Sequence, residues 1–391
     1  LKHEGSPAGV LWAFLLLGLS SFGGPVAHLG YFRRTFVHRR NWLTEADYAS
    51  LVSLCQALPG PASSQVGFCL GMKRAGWPGA LAAWIGFTLP SALLMTAAAT
   101  WSQSFDQVPV MQRLLHGMQL AAVAVVAQAV WAMAKNLCPD TPRRMLAVLA
   151  AAILILVPGA GGQLLVLAIG ALIGWFLPHE EFLSRPADET RRRSHLPALT
   201  CIALFATLLV LSFYDWPPGG IALFAAFYRS GALVFGGGHV VLPLLQSIVV
   251  APGYVAPSLF LAGYGAAQAM PGPLFTVAAY LGAVASIGPG GAHGAAIALA
   301  GIFLPGLLLA AGVLPYWTRL RQNRAFAGCI NGVNAVVVGI LAYALLNLIT
   351  LGSLRGFADL GIAGVAIVAL VMTSLPPIFA VAFCAAASIA L

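Results

Sequence analysis

Apolar runs close to the ~20 residues that span a hydrocarbon core recur along the chain at 78–100, 114–134, 196–213, 294–314 and 329–349. Polar residues gather in short stretches between these runs instead of marking one face of each, as they would on a surface helix. The pattern predicts an all-α polytopic membrane protein. Two further apolar segments, 8–32 and 44–72, are cut in the middle, the first by Phe22-Gly23-Gly24-Pro25 and the second by Pro59-Gly60-Pro61. Proline removes a helix hydrogen bond and clashes with the preceding turn, so each is expected to form two half-helices, broken or re-entrant at the motif. Residues 145–177 are expected to bend at Pro158-Gly159-Ala160-Gly161-Gly162.

The interruptions occur twice. Phe22-Gly23-Gly24-Pro25 followed by Gln56-Ala57-Leu58-Pro59-Gly60-Pro61 returns as Phe235-Gly236-Gly237-Gly238 followed by Gln268-Ala269-Met270-Pro271-Gly272-Pro273. Further on, Phe87-Thr88-Leu89-Pro90 matches Ile302-Phe303-Leu304-Pro305, with the Gly288–Gly291 insertion accounting for a small shift in spacing. Duplication is the simplest account. It divides the chain into an N-terminal repeat (1–178), a basic linker with one unpaired span (179–219) and a C-terminal repeat (220–391). Lys2 with the run Val10–Leu19 has the outline of a signal peptide; its internal copy at Leu223–Phe235 marks it instead as part of the repeat.

Charge gives the two copies opposite orientations. Arg33, Arg34, Arg39, Arg40, Lys73 and Arg74 lie in the first copy where 246–258 and 286–293 of the second carry no charge. The contrast reverses at 102–112, nearly free of cations, against Arg319, Arg321 and Arg324. Cytoplasmic loops collect Lys and Arg, so equivalent loops face opposite sides and the halves are inverted-topology repeats, an arrangement typical of transporters. Composition agrees with a bilayer: 60% of residues are hydrophobic, 8% charged, and the mean hydropathy is +0.90. The net charge of +9 sits in scattered loops, which points to cytoplasmic loop charge and away from nucleic acid. Six cysteines without CxxC spacing read as packing residues.

A helix that starts inside a membrane offers unpaired N–H groups and a partial positive charge, which together favour an anion. The first Pro-Gly-Pro is followed by Ser63, Ser64 and Gln65, the second by Thr276, so the first copy has the better donors. Gln56 and Gln268 precede the two prolines, and an amide in hydrocarbon needs a partner: a neighbouring helix or a ligand. His28 and His239 lie near the glycine breaks as candidate proton-linked donors. The arginine cluster and Lys73-Arg74 are candidates for attracting an anion to a cytoplasmic mouth. Every carboxylate falls at a segment end or in a loop, which disfavours a cation site. Phosphate-loop, HExxH and nucleophile-elbow motifs are absent from the sequence, so neither an enzyme nor an ATP-driven pump is expected. Cofactors and metals are not expected either. A membrane scaffold or sensor and an ion channel are the readings from other classes.

In Phe22-Gly23-Gly24-Pro25 with His28 and Gly30, Leu58-Pro59-Gly60-Pro61 with Gln65 and Gly67, Arg74-Ala75-Gly76, Phe235-Gly236-Gly237-Gly238, Pro243 and Met270-Pro271-Gly272-Pro273, the sequence resembles the long, two-domain form of the chromate ion transporter family. The resemblance implies export of chromate, a tetrahedral oxyanion, across the cytoplasmic membrane, conferring resistance; sulfate uptake or exchange is the alternative. The expected partners are chromate or a similar oxyanion and the lipid bilayer, with no nucleic acid; a homodimer is an open possibility for the chain. Gly238 stands where the first copy has Pro25, and Thr276 where it has Ser64, so the two sites are not expected to be equivalent.

Overall fold

Proline and glycine set most of the helix boundaries. The computed structural model describes all residues except 1–4, 105–108, 177–195, 236–240, 321, 351–353, 355, 374–375 and 391. The first half comprises α1 (Pro7–Ser20), α2 (Gly24–Phe32, continued as a wider π-helical turn to Arg39), α3 (Glu45–Ala57), α4 (Ala62–Ser104), α5 (Pro109–Leu137), α6 (Thr141–Leu156) and α7 (Ala160–Phe176). The unpaired α8 (Leu196–Leu211) follows. The second half comprises α9 (Gly220–Leu233), α10 (Val241–Leu245), α11 (Pro257–Ala269), α12 (Val277–Val284), α13 (Gly291–Val313), α14 (Trp317–Leu320), α15 (Arg324–Leu348), α16 (Phe357–Met372) and α17 (Pro377–Ala390). Among the described residues every regular element is helical.

Helix α4 is two helices joined by a tight turn. Ala75 (φ −141°) and Gly76 (φ 66°, ψ −155°) leave helical geometry, and the chain doubles back so closely that the backbones of Gly71 and Gly79 touch. The Lys73-Arg74 segment, expected as a loop between spans, is therefore the last turn of a helix hairpin. Among the described residues four segments are long and apolar enough to cross a membrane, Ala62–Trp101 (which includes the turn at Gly76), Gln112–Leu137, Gly291–Leu320 and Ala325–Leu348. The outer surface is apolar too, with Leu93, Val148, Leu156 and Phe176 exposed, as hydrocarbon contact requires. The molecule is an all-α polytopic membrane protein.

The two halves interlock. Helix α1 packs along α4 as α9 packs along α13, and the close approach falls on matching glycines: Gly18 against the backbone of Phe87, Gly231 against that of Ile302. Helices α6 and α7 of the first half pack on α15 of the second, while α16 and α17 pack on α5. Small residues let the partner backbones meet. Gly170 and Gly174 of α7 face Gly332 and Gly328 of α15. Gly174→Val is expected to force this contact apart and cost about 1–3 kcal/mol, as overpacking does. The check is thermal stability of the detergent-solubilised protein by fluorescence-detected size exclusion; an unchanged midpoint would contradict it.

Candidate functional site

Helix α1 stops at Ser20 and α2 starts at Gly24, with Gly23 at φ 102° and Gly24 at φ 78°. These left-handed conformations are costly for a residue with a Cβ. The second break runs from Leu58 to Pro61, with Gly60 at φ 118°, and its counterpart from Met270 to Pro273, with Gly272 at φ 96°. Leu58, Pro59, Gly60 and Pro61 are buried, as are Pro271, Gly272 and Pro273. None of these breaks is a solvated loop.

Each Pro-Gly-Pro break is tied to the other half. The Gly60 N–H donates to the carbonyl of Val234, 2.7 Å away, at the end of α9. Reciprocally, the Gly272 N–H donates to the carbonyl of Ser21, 2.9 Å away, at the end of α1. A carbonyl left over where a helix stops thus meets an amide freed where the opposite half is broken.

Polar side chains collect around the first break. His28, on α2, is fully buried; its Nδ1 lies 3.4 Å from Ser63 Oγ and its ring meets Phe87 edge-on at 5.2 Å between centroids. Ser63 and Ser64 occupy the first turn of α4 and are also buried, so the free N–H groups of that turn open beside their hydroxyls. Ser21 Oγ, His28 Nε2, Ser64 Oγ and Thr88 Oγ1 are buried with no hydrogen-bond partner in the protein. An unsatisfied buried polar group costs about 1–3 kcal/mol. With Nδ1 engaged, Nε2 is the imidazole atom left for a ligand: it donates when the ring is protonated and accepts when the ring is neutral with its proton on Nδ1.

Gln65 has a different part from the one expected of a donor to an anion. Its Nε2 donates to the carbonyls of Pro59 (2.8 Å) and Gly306 (2.9 Å), bracing the break against α13. Both amide protons are spent, and the remaining Oε1 is an acceptor. Gln65→Met is expected to strand the buried Pro59 carbonyl at about 1–3 kcal/mol and to remove the link to the Gly306 carbonyl, which keeps its helical partner within α13. A purified variant should lose thermal stability while its folded fraction keeps the wild-type affinity for substrate; a selective loss of affinity would return Gln65 to the binding set.

Among the described residues the second half is poorer in free donors. Thr276 is buried, but its hydroxyl donates to the Pro273 carbonyl at 2.8 Å. Gln268 is buried with Nε2 unpartnered. Gly236, Gly237, Gly238 and His239 lie outside the described residues. Gln56, at the equivalent place to Gln268, is exposed. Phe22, Gly23, Gly24 and Pro25 are half-buried at the mouth of the first break.

The cation groups share one end of the molecule. Arg33, Arg34, Arg39 and Arg40 are exposed, whereas Lys73 and Arg74 are half-buried. Arg40 and Arg74 lie over the ring of Trp42, at 5.8 and 5.3 Å from its centroid, joining the two clusters. Arg33 bonds Glu45 at 2.9 Å, and the guanidinium holds the Glu45 carboxyl below its usual range. As an exposed pair it stabilises little; the contact is present at neutral pH and lost as acid protonates Glu45.

Ser21, Thr88 and Ser91 were not singled out by sequence. A Cβ on Gly272 would lie 2.7 Å from Ser91 Oγ and 3.2 Å from the Phe87 carbonyl, and the Gly272 N–H meets the Ser21 carbonyl, so Ser21 and Ser91 line the contact between the halves. The available signal was Pro90 inside α4, which frees a carbonyl a turn earlier. Arg229 is a further charge within an apolar helix, α9. It lies over the ring of Phe213 at 5.4 Å, on the side of α8. Among the described residues no cluster of His, Cys, Asp or Glu has the makings of a metal site.

A sequence model of the family described as "Chromate transporter" matches residues 8–175 and 221–389. The chain is 28% identical to a protein named "Chromate transport protein" from Cupriavidus metallidurans, over 92% of this chain and 91% of the relative. It is 29% identical to a "Probable chromate transport protein" from Synechococcus elongatus, over 86% and 82% of the two chains. A "Chromate transport protein" from Pseudomonas aeruginosa is 28% identical over 86% and 79%. No solved structure matches. With both halves matched in order, the chain belongs to the chromate transporter family.

Proposed function

We propose that the protein exports chromate across the cytoplasmic membrane and thereby confers resistance to it. The observation that carries this reading is the buried His28, which meets Ser63 in the first turn of α4, together with buried polar atoms on Ser21, His28, Ser64 and Thr88 that have no partner in the protein. A tetrahedral dianion accepts several hydrogen bonds at once, and the free amides at the start of α4 match its charge without a buried cation. The names of the relatives agree on the substrate.

In this reading residues 1–178 and 220–391 are inverted repeats, joined by the linker and span of 179–219. The Arg33–Arg40 and Lys73-Arg74 groups mark the cytoplasmic mouth, where exposed guanidinium groups raise the local concentration of an anion. Inside-negative potential favours outward movement of charge by about 2.3 kcal/mol per elementary charge per 100 mV. A dianion carries two such charges, so the potential suffices as the driving force. Proton exchange through His28 is a second source of energy available to the same site.

The test is chromate flux in vesicles reconstituted with purified protein, with sulfate as competitor and with the potential set by potassium and valinomycin. Export predicts uptake into inside-out vesicles that rises with an imposed inside-positive potential and that equimolar sulfate inhibits weakly. Strong competition by sulfate, or uptake independent of orientation and potential, would overturn it. Flux that never saturates would mark a channel, and no flux at all a scaffold or sensor.

A further inference from the structure

Helices α3 and α11 hold the same place in the two repeats, since Gln56 and Gln268 each precede a Pro-Gly-Pro, yet they are packed differently. Every residue of α11 from Phe260 to Gln268 is buried, because the helix lies along α5 and α17. A Cβ on Gly265 would lie 2.5 Å from the Met118 carbonyl of α5, and Gln119 Nε2 of α5 reaches the Ser258 carbonyl at 3.4 Å.

Its counterpart packs mainly against α4 and the turn that follows α2. Ala46, Ala49 and Gln56 of α3 are exposed. The surface equivalent to the one that covers α11 is nonetheless present, because α7 packs on α15 as α17 packs on α5. On α15, half-buried Asn334 stands where α5 has Gln119. An exposed amide on Gln56 is poorly suited to lipid, so this face meets water, substrate or protein.

The open helix starts at the end that carries the arginines, and the closed one at the end of the uncharged 251–257 turn. Two copies of one motif in two packings are what an alternating-access protein displays at rest. We infer that this structure is the cytoplasm-open member of a pair of conformers, in which α3 bounds the cytoplasmic access path, and that transport exchanges the packing: α3 closes on α15 and α7 as α11 leaves α5 and α17. Gln56 and Gln268 then trade exposure for burial while the Gly60–Val234 and Gly272–Ser21 ties remain as the pivot. The inference rests on the transporter reading and extends it to a named pair of gates.

Two engineered disulfides test it in a background without the six native cysteines, with a protease site placed between residues 177 and 195. Gln119→Cys with Ser258→Cys bridges the contact that is closed here. Ala46→Cys with Asn334→Cys bridges the equivalent contact, open here. After oxidation of native membranes and cleavage at the linker, each pair is expected to hold the two halves of one chain together on a non-reducing gel. Each link should also stop chromate flux to background, and a reductant should restore it. Failure of the 46–334 link while 119–258 forms would leave α3 permanently open and overturn the inference. So would a 46–334 link between two chains, which would make α3 a homodimer face, or failure of the 119–258 link. Because the links are scored without substrate, both can form even if chromate is not the cargo. That outcome would leave the gates standing and remove the chromate reading alone.

Discussion

Replacing Gly60 by alanine is expected to abolish the chromate resistance proposed above. At φ 118° an L side chain is strained by on the order of 1–3 kcal/mol, and the new methyl would lie 2.9 Å from the Gly306 Cα and 3.0 Å from Gln65 Nε2. The backbone of α13 cannot yield to it cheaply, so either the Gly60–Val234 bond or the Gln65 brace must open. Strain and crowding at Gly60 displace the backbone of the break itself, and with it the start of α4 and the direction of its first-turn amides, which loss of the Gln65 side chain alone does not. Growth on chromate should fall to that of cells lacking the transporter while protein remains detectable in the membrane. Wild-type resistance at normal protein levels would show that this backbone shape is dispensable.

Removing the two serine hydroxyls is the second large expectation. Ser64 Oγ has no protein partner and Ser63 Oγ has only the 3.4 Å contact with His28, so both are available to an anion. A hydrogen bond to a charged group contributes about 1.5–3 kcal/mol, which is roughly a ten- to hundredfold change in KM per bond. Ser63→Ala with Ser64→Ala should therefore raise the KM for chromate by at least about tenfold. Thr276→Ala should do much less, since that hydroxyl is already committed to the Pro273 carbonyl. Equal effects of the two changes would remove the asymmetry between the repeats.

Much of this was legible in the sequence because hydrocarbon allows few solutions. The long spans, the bend before α7 and the breaks at Gly23-Gly24 and the two Pro-Gly-Pro motifs follow from apolar length and from residues that cannot continue a helix. What could not be read was exchange between the halves: that Gly60 would seek Val234, or that α6 and α7 would settle on α15. Such contacts join positions far apart in the chain, and local pattern does not encode them. The same limit hid Ser21 and Ser91, which matter only because the opposite half's Gly272 lies against them. It also disguised Gln65, whose amide looks like an anion donor until Gly306 takes one of its protons.

The reciprocal ties between the breaks bear on how the chain is made. A ribosome adds about 5–20 residues per second, so the stretch from Gly60 to Val234 takes roughly 10–35 s to synthesise. For that interval the N-terminal portion is already emerging with an amide whose eventual acceptor does not yet exist. Biogenesis must hold this segment in the insertion machinery, or at a wet interface, until the rest of the polypeptide arrives, and slowing translation between the halves should raise the amount degraded by membrane quality control.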